Sequence, residues 1–400
     1  MSKILDEDMN YDKIFWIATT AMRLNRSHPC IARDKFWRTQ FIGISLLSLS
    51  CFIFLLYSIL FHDIQCGLFA DASKNAIMAI VAFTITYKYS ILLRYQDTVI
   101  ELIRIVDNDY ELAKEFCEEE QRIVLHYSKR GVKVCQYWFI SVCSTSAIFP
   151  LKALMLMGKS YMAGEFQYVA MFELTYPWIL EDYKNVHIIF TMLFGLALFF
   201  DIYAASMYVG FDPMIPIFML HLCGQLDILN LRISKIFSDT KDSDETVGKN
   251  LKEIILKLQD VYKFIEVIKT NFTVLYEFIM KTTTFLLPLT AFQITESLRN
   301  GEINFEFIGF FTGVILHFFI PCYYSDLLME TGEKFRLAIY SCGWEKYSDK
   351  RTLRTVLFML TRAIKPVVIS TVFCAICLDT FAEMCRGAYS IFNLMNAAWA

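Results

Sequence analysis

The chain has 400 residues and a formal net charge of −3, and 56% of its residues are hydrophobic. Its mean hydropathy of +0.42 is too high for an ordinary soluble domain and indicates a membrane protein. The near-neutral charge, with no basic patch interleaved with aromatic residues, argues against a nucleic-acid partner.

Seven long apolar runs follow one another along the chain. Each is about the length that a helix needs to cross a bilayer core of about 30 Å. We therefore predict an all-α membrane protein with seven transmembrane helices. The runs extend over Phe41–Phe61, Asn75–Leu93, Val134–Met157, His187–Met207, Phe278–Thr295, Phe305–Tyr324 and Pro366–Met395.

Lys and Arg are distributed unevenly between these runs. Of the 38 basic residues, 30 lie before the first run, or between the second and third, the fourth and fifth, and the sixth and seventh. Cytoplasmic flanks collect Lys and Arg, so the N-terminus is expected in the cytoplasm. Seven crossings then place the C-terminus outside the cell, which is the reverse of a G-protein-coupled receptor.

Two amphipathic segments lie outside the runs. Residues 11–24 place Ile14, Ile17 and Ala18 on one face, which predicts a short helix lying at the inner membrane surface. Residues 247–276 alternate apolar and charged positions at helical spacing. We expect them to form a helix that extends beyond the bilayer and continues into the fifth span.

The last span begins in an unusual way. Residues 349–363 form a basic amphipathic segment, and Pro366 follows it. Because proline is tolerated in the first turn of a helix, we predict that the last helix starts there and runs to about Met395. A helix of that length exceeds the bilayer core, so it should begin in the cytoplasm.

No catalytic constellation can be found in the chain. The six His residues are scattered, and no phosphate-binding loop, dinucleotide turn or nucleophile motif is present. We expect neither an enzyme nor a cofactor or metal. Cys374 and Cys377 form a CxxC pair without acidic or His neighbours, so we interpret them as structural.

Several short motifs resemble the signature of insect odorant receptors. They are Ala338-Ile-Tyr-Ser-Cys-Gly-Trp344, Leu360-Thr-Arg-Ala-Ile-Lys-Pro366, Thr380-Phe381, Ala388-Tyr-Ser-Ile-Phe392 and the earlier His221-Leu-Cys-Gly-Gln-Leu-Asp-Ile-Leu229. The length, the inverted topology and the order of the motifs extend this similarity over the whole chain. The tail lacks the Gln-Phe ending of the related gustatory receptors, which favours a ligand-tuned odorant receptor subunit.

The resemblance implies an odorant-gated, non-selective cation channel subunit. Members of the family form tetramers around a central pore, and the tuned subunits assemble with a shared co-receptor as a heterotetramer in the plasma membrane of olfactory sensory neurons. On this basis we divide the single domain into a cytoplasmic N-terminal segment (1–40), spans one to six with the ligand-binding bundle (41–324), a cytoplasmic anchor segment (325–365) and a pore-lining last helix (366–400).

The resemblance places a small volatile ligand in the outer half of the bundle. Apolar and aromatic walls with one or two hydroxyl groups suit such a molecule, although plain helix packing is the alternative for each residue. The candidate ligand-binding residues are Ile80, Phe83, Ser144, Ala147, Ile148, Leu151, Phe190, Thr191, Phe194, Phe307, Phe310 and Phe311.

Charged residues inside the spans need partners or access to water. We expect Lys88 to extend its ammonium toward the inner interface and Lys152 toward the outer one. Lys281 has Glu277 one turn before it and should pair with it. Asp201 has no partner that the sequence assigns.

The last helix carries two faces that could line a pore. Asp379, Glu383 and Arg386 share one face, where an acidic ring could select cations. A Glu383–Arg386 pair within the bundle is the alternative, and we favour it. At the outer end, a second face could close the pore by excluding water and offer an amide to hydrated ions, unless it packs against lipid or protein. Its residues are Phe392, Met395 and Asn396.

The cytoplasmic anchor segment supplies the candidate subunit contacts, which are Trp344, Arg351 and Arg354. Two other classes of protein remain as alternatives. A gustatory-type receptor channel would share the fold, whereas a G-protein-coupled receptor or a transporter would not. The outward C-terminus argues against the G-protein-coupled receptor, and the lack of an internal hydropathy repeat argues against a transporter.

Overall fold

The computed structural model describes residues 9–236, 244–301, 303–346 and 349–399. Within these ranges the regular structure is helical, apart from one isolated bridge between Ser370 and Ala375. The helices are α1 (Tyr11–Ile14), α2 (Trp16–Leu24), α3 (Lys35–Ser58), α4 (Phe69–Arg94), α5 (Gln96–Ala113), α6 (Glu118–Met162), α7 (Trp178–Tyr183), α8 (His187–Phe211), α9 (Met214–Lys235), α10 (Asp244–Arg299), α11 (Phe305–Ser341), α12 (Lys350–Ala363) and α13 (Leu378–Trp399).

The predicted fold class is confirmed, and seven of these helices carry the apolar runs. Helices α3, α4, α6, α8, α10 and α11 contain the first six runs, and α13 contains most of the seventh. A π-helical turn, Ile59–Asp63, extends α3 at its outer end. We call the ends of the bundle outer and inner according to the predicted topology.

Length and hydropathy alone identify five helical segments in the described residues that could cross a membrane. They are Lys35–Asp63, Phe69–Arg94, Glu118–Met162, His187–Lys235 and Phe305–Ser341. The other two spans are more polar. The apolar part of α10 is diluted by Lys281, Gln293 and several threonines, and α13 carries Asp379, Glu383 and Arg386. Polar spans face protein or water rather than lipid.

Three of the spanning helices are much longer than a bilayer requires. Helices α6, α10 and α11 have 45, 56 and 37 residues, whereas about 20 residues cross the hydrocarbon core. Their inner halves therefore extend below the membrane, as the amphipathic residues 247–276 predict. Together with α5, α9 and α12 they form a cytoplasmic helical bundle.

Helix α9 is the centre of this cytoplasmic bundle, and nearly all of its side chains are buried. His221 of the sequence motif lies 3.0 Å from an Asp109 carboxylate oxygen, and Lys257 donates to the other oxygen at 2.5 Å. Burial opposes ionisation of Asp109, but these hydrogen bonds outweigh it and hold the pKa of that carboxyl below its usual value. Tyr127 likewise donates to Asp227 at 2.6 Å.

The N-terminal helices occupy a different place from the one predicted. Tyr11, Phe15, Ala18 and Met22 are buried within the protein rather than lying on the inner membrane surface. The Met22 side chain packs so closely on Gly210 that a Cβ there would meet it at 2.7 Å. Of the predicted apolar face, Ala18 is buried, and Ile14 and Ile17 are half-buried against the hydrophobic core.

The beginning of the last helix was also predicted wrongly. Residues 365–377 are not helical, and α13 starts only at Leu378, so it spans roughly 33 Å at 1.5 Å per residue. The backbone turns back on itself through the bridge between Ser370 and Ala375. The Thr371 hydroxyl accepts from the amides of Phe373 and Cys374, which stabilises that turn. The β-branched residues after Pro366 favour this extended course over a helix.

Candidate functional site

A cavity of about 100 Å³ lies inside the membrane part of the bundle. It is enclosed by α4, α6, α8, α10 and α11 and by one residue of the outer loop that follows α6. Cavities for drug-sized ligands are several times larger, so this one suits a small molecule. Its apolar wall consists mainly of Met78, Val81, Phe149, Phe172, Phe200 and Phe310.

Few polar side chains face the cavity. On one wall, Ser146 of α6 donates a hydrogen bond of 2.6 Å to the Asp201 carboxylate of α8. Thr145 lines the cavity as well, but its hydroxyl is committed to the Ser141 carbonyl oxygen one turn earlier. An apolar chamber with a small number of placed polar groups binds and orients small molecules.

A buried ionic network lies below the floor of the cavity, and its His317 side chain lines that floor. Lys88 Nζ lies 2.5 Å from Asp212 Oδ1 and 2.8 Å from His317 Nε2, and it has no solvent exposure. It also lies 4.0 Å from the centre of the Tyr208 ring, a contact that stabilises a cation. Trp138 closes the floor by donating from its indole to the Tyr208 carbonyl oxygen.

The roof of the cavity comes from the loop between α6 and α7. Phe172 of this loop packs against Phe149 and Phe200, with ring centres 5.8 and 6.4 Å apart. The same Phe172 side chain also lines an outer vestibule of about 320 Å³. Among the described residues, Phe172 is thus the side chain that the lining of the cavity and that of the vestibule share.

A polar network anchors this loop to the outer ends of α3 and α4. Asn75 donates to the buried Asp63 carboxylate at 2.8 Å and to the Glu173 carbonyl oxygen at 3.3 Å. The Thr175 amide donates to the Ser58 hydroxyl at 3.0 Å. The residues that follow Phe172 are thereby held at the outer ends of α3 and α4, which helps to position its ring.

The predicted ligand residues fall in several places around the bundle. Phe310 lines the cavity, whereas Phe190 and Phe194 line the vestibule and Phe307 lines a smaller neighbouring cavity. Phe83 is 54% exposed and contacts Phe278 edge to face. The remaining candidates do not line the cavity, and they are Ile80, Ser144, Ala147, Ile148, Leu151, Thr191 and Phe311. As ligand contacts all these residues stay predictions.

The mismatch between the predicted ligand residues and the residues that line the cavity has a geometric cause. On α6 the cavity is faced by Ser141, Thr145 and Phe149, a stripe rotated from the one that the sequence indicated. On α8 the cavity is faced by residues 200–208, which lie deeper than the predicted Phe190 and Phe194. The sequence shows which helices are apolar, but it does not show which face of an almost uniformly apolar helix turns inward.

The sequence also singled out several charged residues that the structure now places. Lys88 does not extend toward the interface as expected, because it is fully buried against Asp212 and His317. These partners are 124 and 229 residues away in the chain, so spacing could not reveal them. The expected pair between Lys281 and Glu277 is present, with 3.6 Å between charged atoms.

The last helix exposes one polar stripe. No ion pair forms between Glu383 and Arg386 among the described residues, contrary to the interpretation that we favoured. Both side chains are instead exposed. The full stripe consists of Asp379, Glu383, Arg386, Ser390 and Asn393.

The three predicted gate residues lie beside this stripe. Phe392, Met395 and Asn396 are half-buried, and Asn396 accepts a hydrogen bond of 2.8 Å from Arg299 of α10. This bond joins the outer ends of α10 and α13. The role of the three residues in a pore stays a prediction.

The predicted anchor residues lie on α12 or just before it. Trp344 lies in a short 3₁₀ turn and donates to the Tyr340 carbonyl oxygen, whereas Arg351 and Arg354 are exposed on the helix. The apolar side chain of Phe358, on the same helix, is 74% exposed. Within the described part of the chain, no cluster of three or more metal-ligating side chains occurs.

Comparison with known sequences identifies relatives of one kind. The chain matches the family model described as "7tm Odorant receptor" over residues 68–389, about four-fifths of its length. It is 28% identical to odorant receptor 2a of Drosophila melanogaster, over 56% of this chain and 60% of that protein. It is 26% identical to odorant receptor 33a of the same species, over 46% of this chain and 48% of that protein. The matches thus span about half to three-fifths of these relatives.

Solved structures show the same fold. The insect olfactory receptor OR5 from Machilis hrabei superposes with a TM-score of 0.72 at 15% identity, covering 95% of this chain and 97% of that chain. The structure of the same receptor in complex with eugenol gives a TM-score of 0.71 and covers 97% of this chain.

Proposed function

This chain belongs to the insect odorant receptor family, and from that premise we propose that it is an odorant-gated, non-selective cation channel subunit. As a member of that family it is a multi-pass membrane receptor and not an enzyme. The observation that carries the proposal is the roofed, mostly apolar cavity among the spanning helices. A chamber with such a wall binds a small apolar molecule because it removes much of that molecule's surface from water.

The ligand that we propose is a small volatile organic molecule. Aromatic side chains from four elements surround the cavity, so a bound molecule would contact several helices at once. Its occupancy would therefore favour one arrangement of those helices over another, which is what a ligand must do to shift a conformational equilibrium. The OR5 complex with eugenol, a receptor of the same fold, supports this assignment.

The pore in this proposal is lined by α13. Its exposed polar stripe runs from Asp379 to Asn393, or roughly 21 Å along the helix axis. Polar and charged side chains on a membrane helix are costly against lipid, so the stripe must face water or another subunit. Copies of α13 around a central axis would place acidic groups at the channel wall, where they favour cations. Phe392, Met395 and Asn396 would then lie at the outer end of the same helix.

The partner that we propose is the co-receptor of the family, in a heterotetramer in the plasma membrane of an olfactory sensory neuron. The surface around α12 supports this assembly. Leu357, Phe358 and Phe373 are large apolar side chains, and 63%, 74% and 81% of each is exposed. Apolar patches of this kind on the cytoplasmic part of a protein mark contacts with other chains. Arg351 and Arg354 lie on the same helix and would add polar contacts at its edge.

Current recording tests the proposal. The chain would be expressed with and without the co-receptor and exposed to a panel of volatile compounds. We expect odorant-evoked cation current only when both are present. Ala204→Phe should abolish that current because the new ring fills the cavity. Met192→Phe is the matched control, since Met192 lies on α8 with 71% of its surface exposed.

Two results of this experiment would contradict the proposal. Equal surface levels of both variants must first be shown by labelling. If Ala204→Phe then responds to the same compounds with the same sensitivity as the parent chain, the cavity is not the ligand site. If surface-expressed complexes pass no odorant-evoked current at all, the channel assignment itself fails.

A further inference from the structure

The cavity wall contains a carboxylate that no cation neutralises. Asp201 lies on α8, and its Oδ2 atom accepts a 2.6 Å hydrogen bond from the Ser146 hydroxyl. Its Oδ1 atom accepts no hydrogen bond from the described residues, and no Lys, Arg or His among them forms an ion pair with it. The carboxylate lines the cavity rather than the outer surface of the protein.

Two other carboxylates near the cavity have cationic partners. Asp212 pairs with Lys88 and His317 at the floor of the same cavity, and Glu306 pairs with Lys152 at 3.0 Å near the outer end. The positive charge at the floor is thus already neutralised by Asp212. It does not compensate Asp201, and it does not repel a second cation strongly.

An uncompensated charge in such a place is costly. A carboxylate withdrawn from water loses solvation energy that only a nearby cation or several hydrogen-bond donors can restore. One hydroxyl from Ser146 restores little of it. A bound group that brings positive charge would restore it.

The rest of the wall suits the same kind of group. The rings of Trp138, Phe200 and Tyr208 line the cavity together with Asp201. Aromatic faces attract ammonium ions through the ring quadrupole, and the protein already places Lys88 Nζ 4.0 Å from the Tyr208 ring. A carboxylate beside aromatic rings is a common way to bind a small ammonium ion.

We infer that the cavity accepts a small apolar amine, whose ammonium group binds the free oxygen of Asp201 while its hydrocarbon part contacts the aromatic wall. The inference rests on the proposed function and narrows its ligand class. The proton balance is simple, because a neutral amine that reaches a protonated carboxyl gives the same ion pair as an ammonium that reaches a carboxylate. The lone pair of the amine takes the proton, and no other reactant is needed.

A matched pair of ligands tests this. The parent receptor with its co-receptor would be exposed to 3-methylbutylamine and to 3-methylbutan-1-ol, which share a hydrocarbon skeleton. We expect the amine to activate at a concentration at least about tenfold lower, because a hydrogen bond between charged groups is stronger than one between neutral groups. Asp201→Asn should remove that advantage and leave the response to the alcohol within a few-fold.

The controls separate charge from shape. Asn has the size of Asp without its charge, so Asp201→Asn changes the charge alone. Asp182→Asn alters an exposed carboxylate at the outer surface, and this variant should leave both responses unchanged. If the amine has no advantage over the alcohol in the parent receptor, the inference is wrong. If Asp201→Asn weakens both ligands equally, the residue is a polar contact for neutral ligands and not an amine site.

The alcohol response of Asp201→Asn and the thermal unfolding of the parent protein are two further measurements. A retained alcohol response in Asp201→Asn shows that the channel works, so loss of the amine response alone cannot be confused with failure of the proposed function. If the variant does not reach the surface, thermal unfolding of the purified parent protein decides. The amine should raise its melting temperature more than the alcohol does at equal concentration, and equal shifts would overturn the inference.

Discussion

At the scale of single residues, the most consequential contact is the one between Lys88 and Asp212. Both groups are withdrawn from water, and His317 lies 3.4 Å from the second Asp212 oxygen. Three helices, α4, α8 and α11, therefore meet at or beside one neutralised charge cluster directly under the ligand cavity. Breaking one half of such a pair leaves the other half buried and unpaired, which costs far more than an exposed ion pair contributes.

We predict that Lys88→Met destabilises the protein by about 3–5 kcal/mol, because the Asp212 carboxylate then lacks its cation. Thermal unfolding in detergent, followed by size-exclusion chromatography, measures the loss. The double variant Lys88→Met with Asp212→Asn should recover most of the stability. Lys334→Met removes an exposed pair with Glu330 and is the surface control. A double variant no more stable than the single one would contradict an ionic role.

How far the sequence predicts these contacts depends on the range of the interaction. The charge of Lys88 inside an apolar run is visible in the sequence and correctly marks a place that needs explanation. Its partners are not visible, because Asp212 and His317 are reached only through the tertiary fold. The pairing of Lys281 with Glu277 was predictable because both lie on one helix, a single turn apart.

At the scale of elements, the last helix is separate from the segment before it. The turn at residues 364–377 breaks the connection between α12 and α13. Hydropathy located the spans, since that signal is local and repeats along each helix. It could not locate this break, because Pro366 is compatible both with the start of a helix and with an extended segment. Which of the two forms is decided by contacts elsewhere, such as the packing of Val367 against Gly332 of α11.

The exposed stripe of α13 makes a testable prediction about ion selectivity. Glu383→Gln removes a negative charge from the proposed channel wall, so we expect a smaller permeability for Ca²⁺ relative to Na⁺. Reversal potentials recorded in odorant-opened channels measure this. In a heterotetramer the effect should be partial, because this chain supplies only part of the wall.

A variant on the other face of α13 is the control for the Glu383→Gln experiment. Phe392→Ser changes the half-buried outer face of the same helix and should increase current without odorant if that face closes the pore. Should Phe392→Ser alter permeation while Glu383→Gln leaves every reversal potential unchanged, the outer face lines the pore and the polar stripe faces another subunit.

At the scale of the whole molecule, the protein divides into a membrane part that holds the cavity and a cytoplasmic part that exposes α12. The two parts share the long helices α6, α10 and α11, so a change in one is carried to the other by continuous helices. The membrane part contains the cavity that we propose as the ligand site. The cytoplasmic part has unpaired apolar surface at Leu357 and Phe358, and that surface is where we propose that other subunits bind.

We predict that Arg351→Glu together with Arg354→Glu reduces co-assembly with the co-receptor several-fold, since both side chains are exposed beside that surface. Co-purification through a tag on the co-receptor measures it. Lys249→Glu reverses an exposed charge elsewhere in the cytoplasmic bundle and should have no effect. Normal amounts of complex with altered odorant tuning would show that the two arginines act on the ligand site instead.

Phe172 has a consequence for how odours combine. Its ring lines two chambers: the cavity inside the bundle, which is the inner chamber, and the outer vestibule, which is the outer chamber. A molecule in either chamber would contact this ring and would thereby affect the other chamber. We expect two chemically unrelated compounds to exclude one another here, although among the described residues only Phe172 lines both chambers. In a natural blend, we would then expect the response to follow the proportion of the two compounds rather than the amount of either one.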